Sequence, residues 1–142
     1  KNPQRVTFRG TLPMAQVHDF LAAIDILLVP SMTKDDGWGV VVGEALQAGA
    51  AVVASGRVGA SVCICNDRMG IVVERPSPGS VAEAIAAVID RGILRMEDRA
   101  YRSAWAAAHI SADAGADYLL KILDHIYDGA AKPNPFFAAQ PS

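Results

Sequence analysis

Short apolar runs alternate with amphipathic segments along most of the chain. The runs at residues 25–30, 51–54 and 71–74 are brief and nearly continuous, which is typical of strands covered on both faces of a parallel sheet. A shorter apolar segment at residues 6–8 precedes Gly10 and predicts one further strand.

The segments between these runs carry apolar residues at helical spacing. We predict helices over residues 14–24, 39–47, 81–89, 97–109 and 111–127. Gly49 follows the second of them, at a position where a glycine commonly ends a helix. Ser80 and Glu83 have the spacing of an N-cap and its capping-box partner, and they predict the start of the third helix.

This order of strands and helices, with short connections, predicts the α/β class. We expect a Rossmann-like, doubly wound parallel sheet with helices on both faces. The length of 142 residues suits one domain, which we place at residues 1–131, and the proline-rich residues 132–142 are predicted to form an extended tail. Such sheets bind ligands beyond the carboxyl ends of their strands, so the loop at residues 31–39 is the first candidate site.

Charge and cysteine content narrow the possible partners. The net formal charge of −2 predicts no nucleic-acid partner and no direct binding to an anionic membrane. Cys63 and Cys65 lie one residue apart, a spacing unsuited to a structural disulfide, and free thiols fit a cytoplasmic location. The three histidines lack metal-ligand spacing, so we predict no metal site.

The loop before the second predicted helix carries the strongest chemical signal. Gly37 and Gly39 bracket Trp38, and glycines allow a backbone to approach a ligand closely. The free amides and the dipole of the following helix suit a pyrophosphate, without a metal ion. Asp36 in the loop and Glu44 in the helix lie eight residues apart, so Glu44 could reach a ligand beyond the phosphates. Such turns and exposed glutamates are also common without function, and the loop alone leaves both interpretations open.

Several segments taken together resemble a known family. In chain order they are Phe8-Arg9-Gly10, Ile24-Asp25 with Pro30-Ser31, Gly37-Trp38-Gly39, Glu44-Ala45-Leu46 with Gly49, and Val52-Val53-Ala54-Ser55. Their order and spacing resemble the C-terminal domain of the GT-B-fold retaining glycosyltransferases, also called group 1 or family 4. The resemblance implies transfer of a sugar from a nucleotide diphosphate sugar, such as a UDP-sugar, with retention at the anomeric carbon, for instance in polysaccharide biosynthesis.

The same resemblance implies a role for each matching residue. Glu44 would hold the ribose hydroxyls of the donor, and Asp36 would lie near the hydroxyls of its sugar. The amides that would bind sugar hydroxyls and the β-phosphate belong to Gly37, Trp38, Gly39 and Val40. The turn that would lie against the base consists of Gly10, Thr11 and Leu12.

Some family features are changed or missing. Asp36 stands where the family has glutamate, so its carboxylate reaches one methylene less far. The family's phosphate-neutralising arginine and lysine belong to a first strand–helix unit that would precede residue 1, as would the N-terminal acceptor-binding domain. We therefore expect a fragment that is inactive alone, from an intact enzyme that could associate peripherally with a membrane. Two alternatives stay open, namely a GT-B-fold sugar-nucleotide epimerase and a non-catalytic nucleotide-sugar-binding module.

Overall fold

The computed structural model describes residues 5–35 and 37–138 of the chain. Within these residues, five α-helices and three β-strands follow one another, with one 3₁₀ turn between the second and third strands. Their bounds are α1 Met14–Ala23, β1 Ile26–Val29, α2 Val40–Gln47, β2 Ala51–Ser55, the turn Gly59–Cys63, β3 Gly70–Val73, α3 Pro78–Asp90, α4 Met96–Ile110 and α5 Ala112–Tyr127.

The three described strands form one parallel sheet in the order β1-β2-β3. All five residues of the central strand β2 are buried, as its continuous apolar sequence predicts. Successive side chains of β2 point to opposite faces of the sheet. Val52 and Ala54 join the core formed with α1, α2 and α4, whereas Ala51 and Val53 join the core beneath α3. Helices therefore cover both faces, and the predicted Rossmann-like α/β class is confirmed.

Three details of the sequence prediction are wrong. Residues 6–8 form no strand, since Val6 and Phe8 are 62% and 95% exposed and no described strand pairs with them. The strand at residues 25–30 is present as β1, but Leu28 is exposed because β1 lies at the edge of the described sheet. Helix α3 begins one turn earlier than predicted, with Ser77 as its N-cap.

The N-cap of α3 differs from the prediction because a proline starts the helix. Pro78 occupies the first helical position, where its missing N–H costs nothing. The Ser77 hydroxyl accepts a hydrogen bond from the Ser80 amide at 3.1 Å, and the Ser80 hydroxyl accepts one from the Ser77 amide at 2.9 Å. Ser80 is thus the capping-box partner and not the cap itself, and Glu83 takes no part in the box.

Two arginines of α4 hold the C-terminal ends of α1 and α2. The Arg99 guanidinium donates to the carbonyls of Ala22 at 2.6 Å and Ile24 at 2.9 Å, just where α1 ends. The buried Arg102 guanidinium donates from Nε to the Gly49 carbonyl at 2.8 Å, just beyond α2. Helix carbonyls at a C-terminus lack intrahelical donors, so these contacts satisfy them and set the direction of both helices.

Helix α5 packs only lightly on the rest of the molecule. None of its residues is buried, although its sequence is strongly amphipathic. Its large exposed apolar side chains are Leu119, Leu120, Leu123, Ile126 and Tyr127. The described residues after α5 have no regular secondary structure up to a turn at Phe136, whose ring returns to the main core.

Candidate functional site

The candidate ligand loop is held by the turn that follows β2. The Gly59 amide donates to the Gly37 carbonyl at 3.0 Å, and the Ala60 amide donates to the Trp38 carbonyl at 2.7 Å. A β-carbon on Gly59 would lie 2.9 Å from Cε3 of Trp38 and 3.1 Å from the Gly37 oxygen. The turn therefore fits against the loop only because residue 59 has no side chain.

Helix α2 begins at this loop, and the amides of Val40 and Val41 have no hydrogen-bond partner among the described residues, whereas the Val42 amide donates to the Gly39 carbonyl at 3.1 Å. The N-cap of α2, Gly39, is left-handed with φ of 75°, and no side chain caps the helix. A β-carbon on Gly39 would also overlap the Val58 side chain, so glycine is required there for two reasons. The uncapped first turn, with its dipole, is compatible with the anion site that is predicted there from the sequence.

A cavity of about 430 Å³ lies along the exposed face of α2. Three predicted site residues, Trp38, Val40 and Glu44, line it together. The other lining residues are Gly43, Gln47, Cys63, His109, Ile110, Ser111, Gly115, Tyr118 and Phe136. Its volume lies in the range of about 300–1,000 Å³ that is usual for small-molecule sites.

Glu44 lies at the centre of this candidate site. Within the described part of the chain, its carboxylate has neither a hydrogen-bond partner nor an ion-pair partner. It also lines a second cavity, of about 200 Å³, whose other wall includes Val17 and His18 of α1. The Glu44 carboxylate, which can accept several hydrogen bonds, therefore lines both cavities.

The predicted base-binding turn lies further away. Gly10 has φ of 65°, Thr11 is exposed and Leu12 is half-buried, and none of the three lines either cavity. The helix that follows them, α1, does line the second cavity. Asp36, the other predicted carboxylate, lies outside the described residues.

The two cysteines are free thiols, as predicted. Burial raises the pKa of the Cys63 thiol to about 11, and the neighbouring Cys65 adds to the rise. Burial also raises the pKa of Cys65. A thiol with a raised pKa is a poor nucleophile at neutral pH, so neither cysteine suits covalent catalysis.

The described residues contain neither a helix that could span a membrane nor a cluster of metal-ligating side chains. None of the helices among them has the length and apolar character needed to span a bilayer. Across residues 5–35 and 37–138, no three His, Cys, Asp or Glu side chains cluster as metal ligands. His109, for example, stacks on Trp105 with ring centroids 4.6 Å apart, and its Nδ1 lies 2.8 Å from the Trp105 carbonyl oxygen.

Sequence reasoning missed nine of the twelve residues that line the larger cavity, among them Gln47, His109, Tyr118 and Phe136. Gln47 was recoverable, because it lies one turn after Glu44 on the same helical face. His109, Tyr118 and Phe136 come from α4, α5 and the tail, and no local pattern predicts that these distant segments converge on α2.

One of three comparisons with known proteins found a match. No curated protein and no solved structure matches the chain. The family model of the glycosyl transferases group 1 matches residues 1–106 of the 142, a range that contains the sheet, the glycine-bracketed loop and α2. Well over half of the sequence is matched, and the chain therefore belongs to the group 1 glycosyltransferase family.

Proposed function

We propose that this chain binds the nucleotide diphosphate sugar donor of a retaining glycosyltransferase. The observation that carries the proposal is the relation between the α2 N-terminus and Glu44. An uncapped helix start suits a diphosphate, and a carboxylate without a partner lies one turn along the same helical face. That pair of groups matches the two polar ends of a nucleoside diphosphate, its phosphates and its ribose hydroxyls.

Each group has a distinct chemical task in the proposal. When the bond between the anomeric carbon and the β-phosphate oxygen breaks, negative charge grows on the departing diphosphate. The amides of Trp38, Gly39 and Val40 and the dipole of α2 would stabilise that charge, which makes a metal ion unnecessary. The Gly37 amide, which was also predicted to bind the donor, already donates to the Lys34 carbonyl at 3.1 Å. Glu44 would accept hydrogen bonds from the ribose hydroxyls and fix the position of the donor.

The remaining parts of the proposal follow from the family. Asp36 would lie near the hydroxyls of the donor sugar, and Gly10, Thr11 and Leu12 would lie against the base. The acceptor would bind a separate N-terminal domain, so this chain alone would bind donor without turning it over. We place the intact enzyme in the cytoplasm, where free thiols persist, and a peripheral contact with a membrane is compatible with this location.

Calorimetric titration of the chain with UDP, GDP and ADP tests the proposal. We expect one of these nucleotides to bind and Glu44→Ala to weaken that binding by roughly tenfold or more, the usual cost of losing hydrogen bonds to a charged group. Glu83→Ala is the matched control, because Glu83 is an exposed glutamate on α3, remote from both cavities. Equal affinities for the wild-type chain and Glu44→Ala would refute the assigned role.

A further inference from the structure

After α5 ends, the chain returns to the ligand loop, residues 37–39, which precedes α2. Gly129, just beyond α5, is left-handed with φ of 71°, a conformation that glycine adopts without strain and that commonly ends a helix. Pro133 and Pro135 follow, and each proline fixes its own φ and favours extended backbone in the residue before it. Residues 129–138, here called the strap, therefore favour a change of direction followed by an extended run.

Backbone hydrogen bonds do not fasten the strap to the body of the domain. Within residues 5–35 and 37–138, its backbone bonds are local, from the Ala130 amide to the Asp124 carbonyl at 3.2 Å and from the Ala138 amide to the Pro135 carbonyl at 2.9 Å. The His125 Nδ1 atom also lies 2.7 Å from the Ala130 carbonyl oxygen, again at the end of α5. Beyond residue 130, the strap is therefore held by the packing of its side chains.

Phe136 provides most of this packing. Its ring is half-buried against the main core and lies 6.3 Å from the ring of Trp38 and 6.0 Å from that of Tyr118, measured between centroids. Both distances are within the range of about 4.5–7 Å that aromatic pairs prefer, and the Tyr118 pair meets edge to face. One side chain of the strap thus connects α5 with the ligand loop.

The Trp38 ring depends on few neighbours for its position. The backbone of Trp38 is held by the hydrogen bond from the Ala60 amide, but its side chain is 48% exposed. The ring contacts the glycine of the neighbouring turn, since a β-carbon on Gly59 would lie 2.9 Å from Cε3, and it contacts Phe136. Trp38 directly precedes Gly39, the N-cap of α2, so a shift of Trp38 also shifts the start of the helix.

We infer that Phe136 is a positioning residue for the N-terminus of α2 and acts through Trp38, an inference that rests on the proposed binding of a diphosphate there. By packing on Trp38, the strap holds the ligand loop in the conformation that presents the free amides of Val40 and Val41. Val40 is 70% exposed, so the strap leaves the helix start open to a ligand. Because coupling between two sites is reciprocal, a bound diphosphate in turn stabilises the closed strap.

The first arm of the test observes the loop without nucleotide. The chain has two tryptophans, so its NMR spectrum contains two indole N–H signals, and Trp38→Phe identifies the one that belongs to Trp38. Phe136→Ala should shift this signal and the backbone amide signals of Val40 and Val41. Tyr127→Ala is the control, because this tyrosine of α5 is 78% exposed and lies outside the larger cavity, and it should shift none of them. Unchanged Val40 and Val41 signals in Phe136→Ala overturn the inference.

The second arm measures the coupling to a ligand. For the nucleoside diphosphate that binds, Phe136→Ala should lower the affinity roughly 2- to 12-fold, the range expected for the loss of one aromatic contact. Phe136→Tyr keeps the ring and should restore most of the affinity, and Phe136→Leu, which keeps the apolar bulk without a ring, replaces Phe136→Ala if that variant does not fold. Saturating nucleotide should also reduce the motion of the strap amides in the wild-type chain and not in Phe136→Ala.

Each remaining outcome is decisive. Equal affinities for the wild-type chain and Phe136→Ala overturn the inference, and tighter binding by Phe136→Ala does so as well, because the strap would then obstruct the site. Absence of nucleotide binding in every protein instead defeats the proposed function, and the Val40 and Val41 signals of the first arm then decide the positioning role alone.

Discussion

The backbone amide of Ala60 donates a 2.7 Å hydrogen bond to the carbonyl of Trp38. This bond joins the turn after β2 to the loop after β1, two segments at the same carboxyl edge of the parallel sheet. The adjacent Gly59 amide reinforces it with a bond to the Gly37 carbonyl. The candidate phosphate-binding loop is therefore shaped by a neighbouring turn as well as by its own glycines.

Gly59→Ala tests this arrangement. The new methyl group would lie 2.9 Å from the Trp38 ring and 3.1 Å from the Gly37 oxygen. Because the backbone φ of Gly59 is not positive, alanine is strained there only by such close contacts. We expect overpacking to lower the unfolding free energy by about 1–3 kcal/mol and nucleotide affinity to fall as the loop shifts. Titration and denaturant unfolding measure both effects. Gly79→Ala, which meets only the Ser77 hydroxyl at 3.9 Å, should leave nucleotide affinity unchanged and should not lower the unfolding free energy, since alanine favours the helix more than glycine does.

Arg102 is expected to be the most important polar side chain for stability. It is buried, and its Nη1 donates to the carbonyls of Arg68 at 2.7 Å and Ile93 at 2.8 Å, in addition to the bond at Gly49. Arg102→Met leaves these carbonyls unsatisfied in the interior, so the unfolding free energy should fall by about 3–5 kcal/mol.

Arg91→Met is the comparison for Arg102→Met in the same denaturant titration. Arg91 is exposed and reaches only Asp67, at 3.5 Å. Its loss should cost less than about 1 kcal/mol, as for other surface ion pairs. Equal costs for the two variants would contradict the view that Arg102 organises the interior.

The buried thiol of Cys63 predicts a loss of stability in alkali. Its pKa of about 11 in the folded chain lies above the ordinary value, so from about pH 9 upwards the unfolded state releases a proton that the folded state retains. Stability should fall by up to about 3 kcal/mol between about pH 9 and 11. Unfolding measured across this range should show a shallower decline for Cys63→Ala than for the wild-type chain. Parallel declines would rule out this thiol as the cause.

The start of α3 gives a direct check on the corrected cap. Ser77→Ala removes the side chain that accepts the Ser80 amide, and it should lower the unfolding free energy by about 1 kcal/mol. Glu83→Ala should be nearly neutral because Glu83 is exposed and lies outside the capping box. The denaturant midpoints of the two variants show which residues cap α3. A lower midpoint for Ser77→Ala alone supports Ser77 as the N-cap, and a lower midpoint for Glu83→Ala supports the Ser80–Glu83 capping box predicted from the sequence.

The contrast between β2 and the tail shows which features the sequence could predict. The run at residues 51–54 predicts a buried strand correctly, because a continuous apolar segment has few other stable environments. The glycines around Trp38 likewise predicted where α2 begins, with Gly39 as its N-cap. The contact between Phe136 and Trp38 joins residues almost a hundred positions apart, and no local periodicity encodes it.

The prediction of a strand at residues 6–8 was wrong for a related reason. An apolar triplet indicates a tendency to be extended, but a strand forms only where a neighbouring strand accepts its hydrogen bonds. The described residues offer Val6 and Phe8 no such neighbour. The cavity residues His109 on α4 and Tyr118 on α5 were not predicted either. They reach α2 through the packing of helices that are distant in sequence, and no local pattern encodes such packing.

The central claim is that Glu44 binds the ribose hydroxyls of the donor. The most direct test removes the Glu44 carboxylate and the ribose hydroxyls, first separately and then together. The affinity of the preferred nucleoside diphosphate is compared with that of its 2′,3′-dideoxy form, for the wild-type chain and for Glu44→Ala. If Glu44 holds the ribose, removing the hydroxyls should cost the wild-type chain roughly tenfold in affinity and cost Glu44→Ala almost nothing, since each change abolishes the same contact. An equal loss for both proteins would show that the ribose hydroxyls bind elsewhere and that Glu44 is not their partner.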